Sequence, residues 1–184
     1  MKISREKAWA LLNGYVKSPS LIKHSLAVEA AMRACALKYG GDIEEWGICG
    51  LLHDFDFEKF PIKERHPFEG AKILKELNYP PEIIEAILGH ASYSGVKRES
   101  LMAKCLYAVD ELCGFLMALA YIRPTHFEGM SSESVKKNLK KKGFAEKISR
   151  EEIEEGIFEL GVDKDEHFNL LIKTLQGISK ELGF

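Results

Sequence analysis

An all-α fold is predicted by three observations. Apolar residues recur at three- and four-residue spacing along most of the chain, capping residues flank those stretches, and no segment alternates with the period of two that a half-buried strand requires. A first helix is expected from Arg5 to Lys17 with Ser4 as its cap. A second runs from Pro19 to Tyr39, with Ser18 as cap, Pro19 in the first turn and Gly40-Gly41 as the stop. Asp42 with Glu45 three residues on is a capping-box pattern for a third helix, which ends near His53-Asp54. FDFEKFPIKERH reads as a loop. A fourth helix begins at His66-Pro67 and stops near Asn78, and Pro80-Pro81 opens a fifth that reaches His90 or Ala91. After the loop SYSGVKRE, Ser100 caps a long apolar sixth helix that Arg123-Pro124 ends. Three shorter helices follow, the last two starting at Ser149 with Glu152 and at Asp163 with Glu166.

The chain has 184 residues, of which 46% are apolar and 29% charged, within the ordinary globular range, and its length predicts one domain spanning residues 1–184. Lys and Arg number 26 against 28 Asp and Glu, so no global positive field draws it to nucleic acid or an anionic membrane. A chain of this size buries enough surface to fold without a structural metal, so a metal site would point to function. Cys35, Cys49, Cys105 and Cys113 form no CxxC pair and lie in apolar helical contexts, which suits a reducing compartment. The first residues lack a signal-peptide core, and the expectation is a cytoplasmic protein. The segment from Leu101 to Ile122 approaches membrane-spanning length but carries Lys104, Asp110 and Glu111, which reads as the central helix of a soluble protein. Six lysines against one Glu between Lys136 and Lys147 read as a solvated face, since a single aromatic residue, Phe144, stands among them and base stacking calls for several.

Asp110 poses the sharpest question, because a carboxylate in a core helix needs a partner: a cation such as Arg33 or Arg65, or a metal ion. Glu111, about 100° away around the helix, is free to meet solvent or a neighbouring Arg. His53-Asp54 offers an imidazole nitrogen and a carboxylate oxygen at the end of the apolar WGICGLL stretch, a mixed set suited to Mn, Fe, Co, Ni or Zn; equally, it reads as a helix-ending His beside a capping Asp. His24 shares a face with the small residues Ala27, Ala31 and Ala34, as a core histidine or as a ligand. His66 and His90 stand at helix ends. Together these are six candidate ligands from five segments, enough for two metals.

The order His24, His53-Asp54, Asp110 resembles the H…HD…D signature of the HD superfamily of metal-dependent phosphohydrolases. The local sequences LIKHSLAVEAAM, GLLHDFDFEKFP, HPFEGAKIL, AILGHAS and YAVDELCGF carry the same resemblance, over residues 24–123, with a helical extension over 131–184. It is nearest to the HDIG-type predicted hydrolases and implies an all-α HD-domain helical bundle. His24, His53, Asp54 and Asp110 would hold a first divalent ion, with His66 and His90 joining Asp54 around a second. Asp54 would then bridge, and a water or hydroxide between the ions would be the nucleophile. One or two ions of Mn, Fe, Co, Ni or Zn, or Mg, are the implied cofactors, and a small phosphorylated metabolite or nucleotide is the implied substrate. Relatives with this scaffold that carry a di-iron centre imply oxygenase chemistry as the alternative, and loss of chemistry would leave a nucleotide- or metal-binding protein.

The chain departs from the HDIGK form at Phe55-Asp56-Phe57-Glu58, which removes a lysine that meets phosphate, and no GYP tripeptide follows, which argues against a cyclic-dinucleotide phosphodiesterase. Asp56 and Glu58 are candidates for a general acid or for loop surface. The substrate-binding candidates are Lys97 and Arg98 in the SYSGVKRE loop, and His126 and His167 are expected at the surface.

Overall fold

The structure, a computed structural model, describes residues 3–184, and their regular structure is helical throughout. The order is α1 (Arg5–Tyr15), α2 (Pro19–Tyr39), α3 (Ile43–Leu52), α4 (Phe68–Glu76), α5 (Pro81–His90), α6 (Leu101–Ile122), α7 (Ser132–Leu139), α8 (Arg150–Leu160), α9 (Lys164–Gly177) and α10 (Ser179–Leu182). A single 3-10 turn, Ser92–Ser94, follows α5. The all-α prediction holds, and so do most of the stop signals. Gly40 and Gly161 close α2 and α8 at φ of 77° and 69°, a region that favours glycine. Asp42, Ser149 and Asp163 each accept the amide proton three residues on, as capping requires.

Two boundaries differ from expectation for a local reason. α1 stops at Tyr15 rather than Lys17, because Val16 turns extended and the amides of Lys17 and Ser18 donate to Glu58 Oε2 at 2.9 and 3.0 Å. The Ser18 side chain therefore does not cap α2; a carboxylate 40 residues away serves that end instead. The four-residue α10 was not foreseen.

α6 lies at the centre, with α2, α5, α7, α8 and α9 against it, while α3 packs on α2 and α1. It is long and apolar enough to cross a membrane, yet 67% of its most apolar stretch is buried against the other helices, so its neighbours are protein. Two glycines set how closely the helices approach. A Cβ on Gly50 of α3 would stand 2.7 Å from the Val28 carbonyl oxygen of α2, and one on Gly156 of α8 would stand 2.7 Å from Ala108 Cα of α6. A buried acid ties the first three helices together: Glu29 accepts from Arg5 at 2.6 and 2.8 Å and from Arg33 at 3.1 Å, and Arg33 also donates to Glu44. Arg33 is thus committed far from Asp110, and Arg65 stacks on Phe60 at 4.1 Å, which removes both cations as partners for that carboxylate.

His126 is exposed as expected, but His167 is fully buried. Its Nε2 donates to the Ala108 carbonyl at 3.1 Å, and its Nδ1 has no partner. The correction follows from α9, which brings His167 against α6, a pairing invisible to local sequence.

Two predictions follow from this packing. Burial holds the His167 pKa below the ordinary histidine value, so the unfolded chain takes up a proton near pH 6.5 that the folded chain resists. Stability at His167 is therefore full above about pH 6.5 and lost as pH falls below it. His167→Gln keeps a donor for Ala108 and abolishes this titration, so thermal denaturation from pH 7.5 to 5.5 will show a smaller fall in Tm for the variant than for the wild type. Gly156→Ala forces α8 away from α6 and will lower stability by about 1–3 kcal/mol, read by calorimetry.

Candidate metal centre

Five segments deliver six polar side chains to one place. His24 projects from the first turns of α2, whose Ala27 and Ala31 are buried and let neighbouring helices come near. α3 ends at Leu52, so His53 and Asp54 leave on its last turn, and Asp110 sits midway along α6. His66 precedes α4, and His90 is the last residue of α5.

Asp110 Oδ1 lies 2.9 Å from His24 Nε2 and 3.3 Å from His53 Nε2. Asp54 Oδ1 lies 3.2 Å from His66 Nε2 and 3.1 Å from His90 Nε2, and its Oδ2 is 3.5 Å from His53 Nε2. The rings run in a row, with centroids 5.1 Å apart for His24 and His53, 5.4 Å for His53 and His90, and 5.4 Å for His90 and His66. Two overlapping groups have ligand atoms close enough to hold a metal ion: His24, His53 and Asp54, and Asp54, His66 and His90. Asp54 belongs to both.

The outer nitrogens are already committed. His53 Nδ1 donates to the Gly50 carbonyl at 2.8 Å, His90 Nδ1 to the Ile87 carbonyl, and His66 Nδ1 to Asp56 Oδ1 at 2.7 Å. A carbonyl only accepts, so Nδ1 carries the proton and Nε2 is turned inward with its lone pair free unless a second proton fills it. His53 Nε2 is buried and makes no hydrogen bond. A lone pair aimed at carboxylate oxygens needs a positive charge between them, and a divalent cation or a set of protons supplies it. Burial works against the charged forms, yet the histidines outweigh it and hold Asp54 and Asp110 well below the usual carboxylate range. Burial likewise opposes a charged His53 and His66, but the carboxylates raise His53 well above its ordinary value and His66 to about 9. The donor set of imidazole nitrogens and carboxylate oxygens fits a borderline divalent transition metal.

The cluster opens on a cavity of about 380 Å³. Its lining adds Phe57, Tyr93, Glu111, Lys147, Ile148 and Glu152 to the His and Asp side chains. Tyr93 Oη donates to the His66 carbonyl at 3.1 Å. Glu111, expected to face solvent or an Arg, instead borders the cavity and accepts the Ser149 amide at 2.9 Å; burial first and then Asp110 push its pKa up to about 7.

Lys97 and Arg98 do not reach this cavity, which corrects their assignment to the substrate. The Arg98 guanidinium is fastened to Glu159 at 2.7 and 2.6 Å and stacks on Tyr107 at 3.6 Å, and both residues border a separate groove. Asp56 is neither loop surface nor free to act as an acid. It is buried, and it accepts from His66 Nδ1 at 2.7 Å and from the Gly70 amide at 2.8 Å, so it fixes the His66 ring. Gly70 is required beside it, since a Cβ there would meet the Asp56 carboxyl at 2.8 Å. The signal lay in the glycine of the HPFEG segment, read only as part of a motif. Glu58 is taken up at the start of α2. Lys147 comes from the lysine run read as a solvated face, and nothing local distinguishes it from its neighbouring lysines, while Glu152 enters from the first turn of α8.

Asp56→Asn leaves the imidazole without its carboxylate partner and will weaken divalent-metal affinity by about 10- to 100-fold, measured by titration calorimetry with Mn(II) on protein whose helical circular dichroism is unchanged.

Comparison with known proteins agrees with this geometry. The HD domain family model matches residues 21–114, which contain His24, His53, Asp54, His66, His90 and Asp110. A stretch of 99 residues is 32% identical to Ribonuclease Y of Lawsonia intracellularis (strain PHE/MN1-00), covering 52% of this chain and 18% of that protein. The chain therefore aligns with less than a fifth of that relative's length. No solved structure matches. With the family model spanning half of the chain and its polar residues gathered at one cavity, this chain belongs to the HD domain family of the metal-dependent phosphohydrolase superfamily.

Proposed function

We propose that the protein is a metal-dependent hydrolase of phosphate esters, acting on a small phosphorylated metabolite or nucleotide. The observation that carries the reading is Asp54, one carboxylate shared by two groups of inward-turned histidine nitrogens. His24, His53, Asp54 and Asp110 would hold one ion, and Asp54, His66 and His90 a second. When bound, such ions lower the pKa of a water and neutralise charge on a phosphoryl group. The protein's part is orientation. Gly50 O, Ile87 O and Asp56 each fix one ring through its Nδ1 proton, so every Nε2 points at the same small volume. Asp54 and Asp110 remain ionised at neutral pH and supply the negative charge that selects cations there.

The cavity itself argues that an anionic substrate requires bound cations. Four carboxylates line it, from Asp54, Asp110, Glu111 and Glu152, and bound cations would offset their charge where a phosphate is to sit. Its volume of about 380 Å³ is at the small end of ligand sites, which suits a small molecule or the terminal group of a larger one. The name of the matched relative denotes a ribonuclease, whose reaction also cleaves a phosphate ester, and this supports the bond type without naming the substrate. The four free buried cysteines suit a reducing compartment such as the cytoplasm.

The test begins with metal content of protein purified without added metal or chelator. One or two Mn, Co, Ni or Zn ions per chain, together with release of phosphate from a phosphomonoester and nucleotide panel, are expected. Asp54→Ala will lose the metal and at least about 1000-fold of the activity. Two Fe per chain with oxygen consumption and no phosphate release would replace this reading with an oxygenase, and a protein that takes up no metal on reconstitution would overturn both.

A further inference from the structure

The segment between α7 and α8 lies beyond residues 21–114, the part that matches the family, yet it forms one wall of the cavity. Its backbone is held from two sides. The Arg150 guanidinium donates to the carbonyls of Phe144, Ala145 and Ile148, the last at 2.8 Å, and stacks on Phe115 of α6 at 5.1 Å. The Ser149 amide donates to Glu111 Oε2 at 2.9 Å, next to Asp110. Between these anchors Ile148 fills the space left by Gly114, where a Cβ would stand 3.5 Å from Ile148 Cδ1 and 3.9 Å from His24 Cε1. Lys147 is therefore fixed at the cavity rim while its own side chain stays exposed.

Lys147 is the one Lys or Arg lining the cavity, and it has no hydrogen-bond or ion-pair partner among the described residues, although Glu111 and Glu152 line the same space. Ile148 also borders a second groove of about 380 Å³, whose charged lining is Lys140, Lys141, Lys142 and Arg150 with one acid, Glu146. Lys136, on α7, is neutralised by Asp165 at 2.7 Å; among the described residues Lys140, Lys141 and Lys142 form no ion pair, Glu146 being the one acid that shares their groove. A run of cations with four lysines against one acid, beginning at the rim of an acid-lined cavity, is the pattern expected of a surface that meets phosphate, because a lysine ammonium binds phosphate as a point charge.

We propose that residues 140–150 are the substrate-recognition element of this site: Lys147 contacts the phosphoryl group held in the cavity, and the Lys140–Lys142 groove takes a second phosphate. The substrate class is then a small molecule carrying two phosphates several bonds apart. This rests on the hydrolase reading above and deepens it. Arg150 is a positioning residue, since its guanidinium is consumed by backbone carbonyls and acts through the loop.

Binding of inorganic phosphate, adenosine 5′-monophosphate and adenosine 3′,5′-bisphosphate to Mn(II)-loaded full-length protein, by titration calorimetry, tests this. Wild type is expected to bind the bisphosphate more tightly than the monophosphate. Lys147→Ala will weaken all three by about 10- to 100-fold, with unchanged Mn(II) affinity, and Lys147→Arg will restore most of the loss. The triple variant Lys140→Ala, Lys141→Ala, Lys142→Ala will bind the monophosphate as wild type does and lose its preference for the bisphosphate. Equal phosphate affinity in Lys147→Ala and wild type, or a bisphosphate preference that survives the triple variant, would overturn the inference and leave the hydrolase reading standing. A wild-type protein that binds Mn(II) but none of the three anions would overturn that reading as well.

Discussion

Two carboxylates set inside an apolar bundle make the demand that the rest of this structure meets. Asp110 interrupts the central helix and Asp54 follows the buried α3, and among the described residues neither forms an ion pair with an arginine or lysine. Among the described residues their ion-pair partners are imidazoles, and each of three imidazoles has its far nitrogen occupied by a carbonyl or by Asp56. The arrangement fixes direction as well as charge. A ring whose Nδ1 proton is held cannot flip, so its Nε2 has one place to point.

That convergence depends on packing that owes nothing to the polar residues. His24 and His53 belong to α2 and α3, which approach closely because Gly50 leaves room for the Val28 carbonyl. On the other side Gly156 lets α8 lie on α6, and Ile148 packs between Gly114 and His24. The buried Glu29 with its two arginines holds α1, α2 and α3 in register at a distance from the cavity. Charge is thus used twice in the fold: as a fully paired network among the first three helices, and as an uncompensated cluster where chemistry is possible.

The sequence was most informative where a local rule governs the outcome. Helix ends at Ser4, Asp42, Ser100, Ser149 and Gly161 follow from capping, which needs only a few neighbouring residues. The six clustered histidine and aspartate residues were legible because each interrupts an apolar context and because their order resembles a known signature. Pairings across long separations were not legible. Glu58 serving the start of α2, His167 lying against Ala108 and Arg98 turning to Glu159 each depend on how helices far apart in sequence meet. Lys147 is the sharpest case: its identity matches its neighbours, and only the loop that carries it sets it apart.

The fastening of α8 fixes one wall of the cavity. Its first residue is clamped to the preceding loop, the amide of its cap is bound beside Asp110, its middle lies flush on Ala108, and its last turn is bolted through Glu159 to Arg98. A helix secured at both ends and in the middle does not swing open as a flap. The wall of the cavity that α8 carries is therefore held in place along the whole length of the helix.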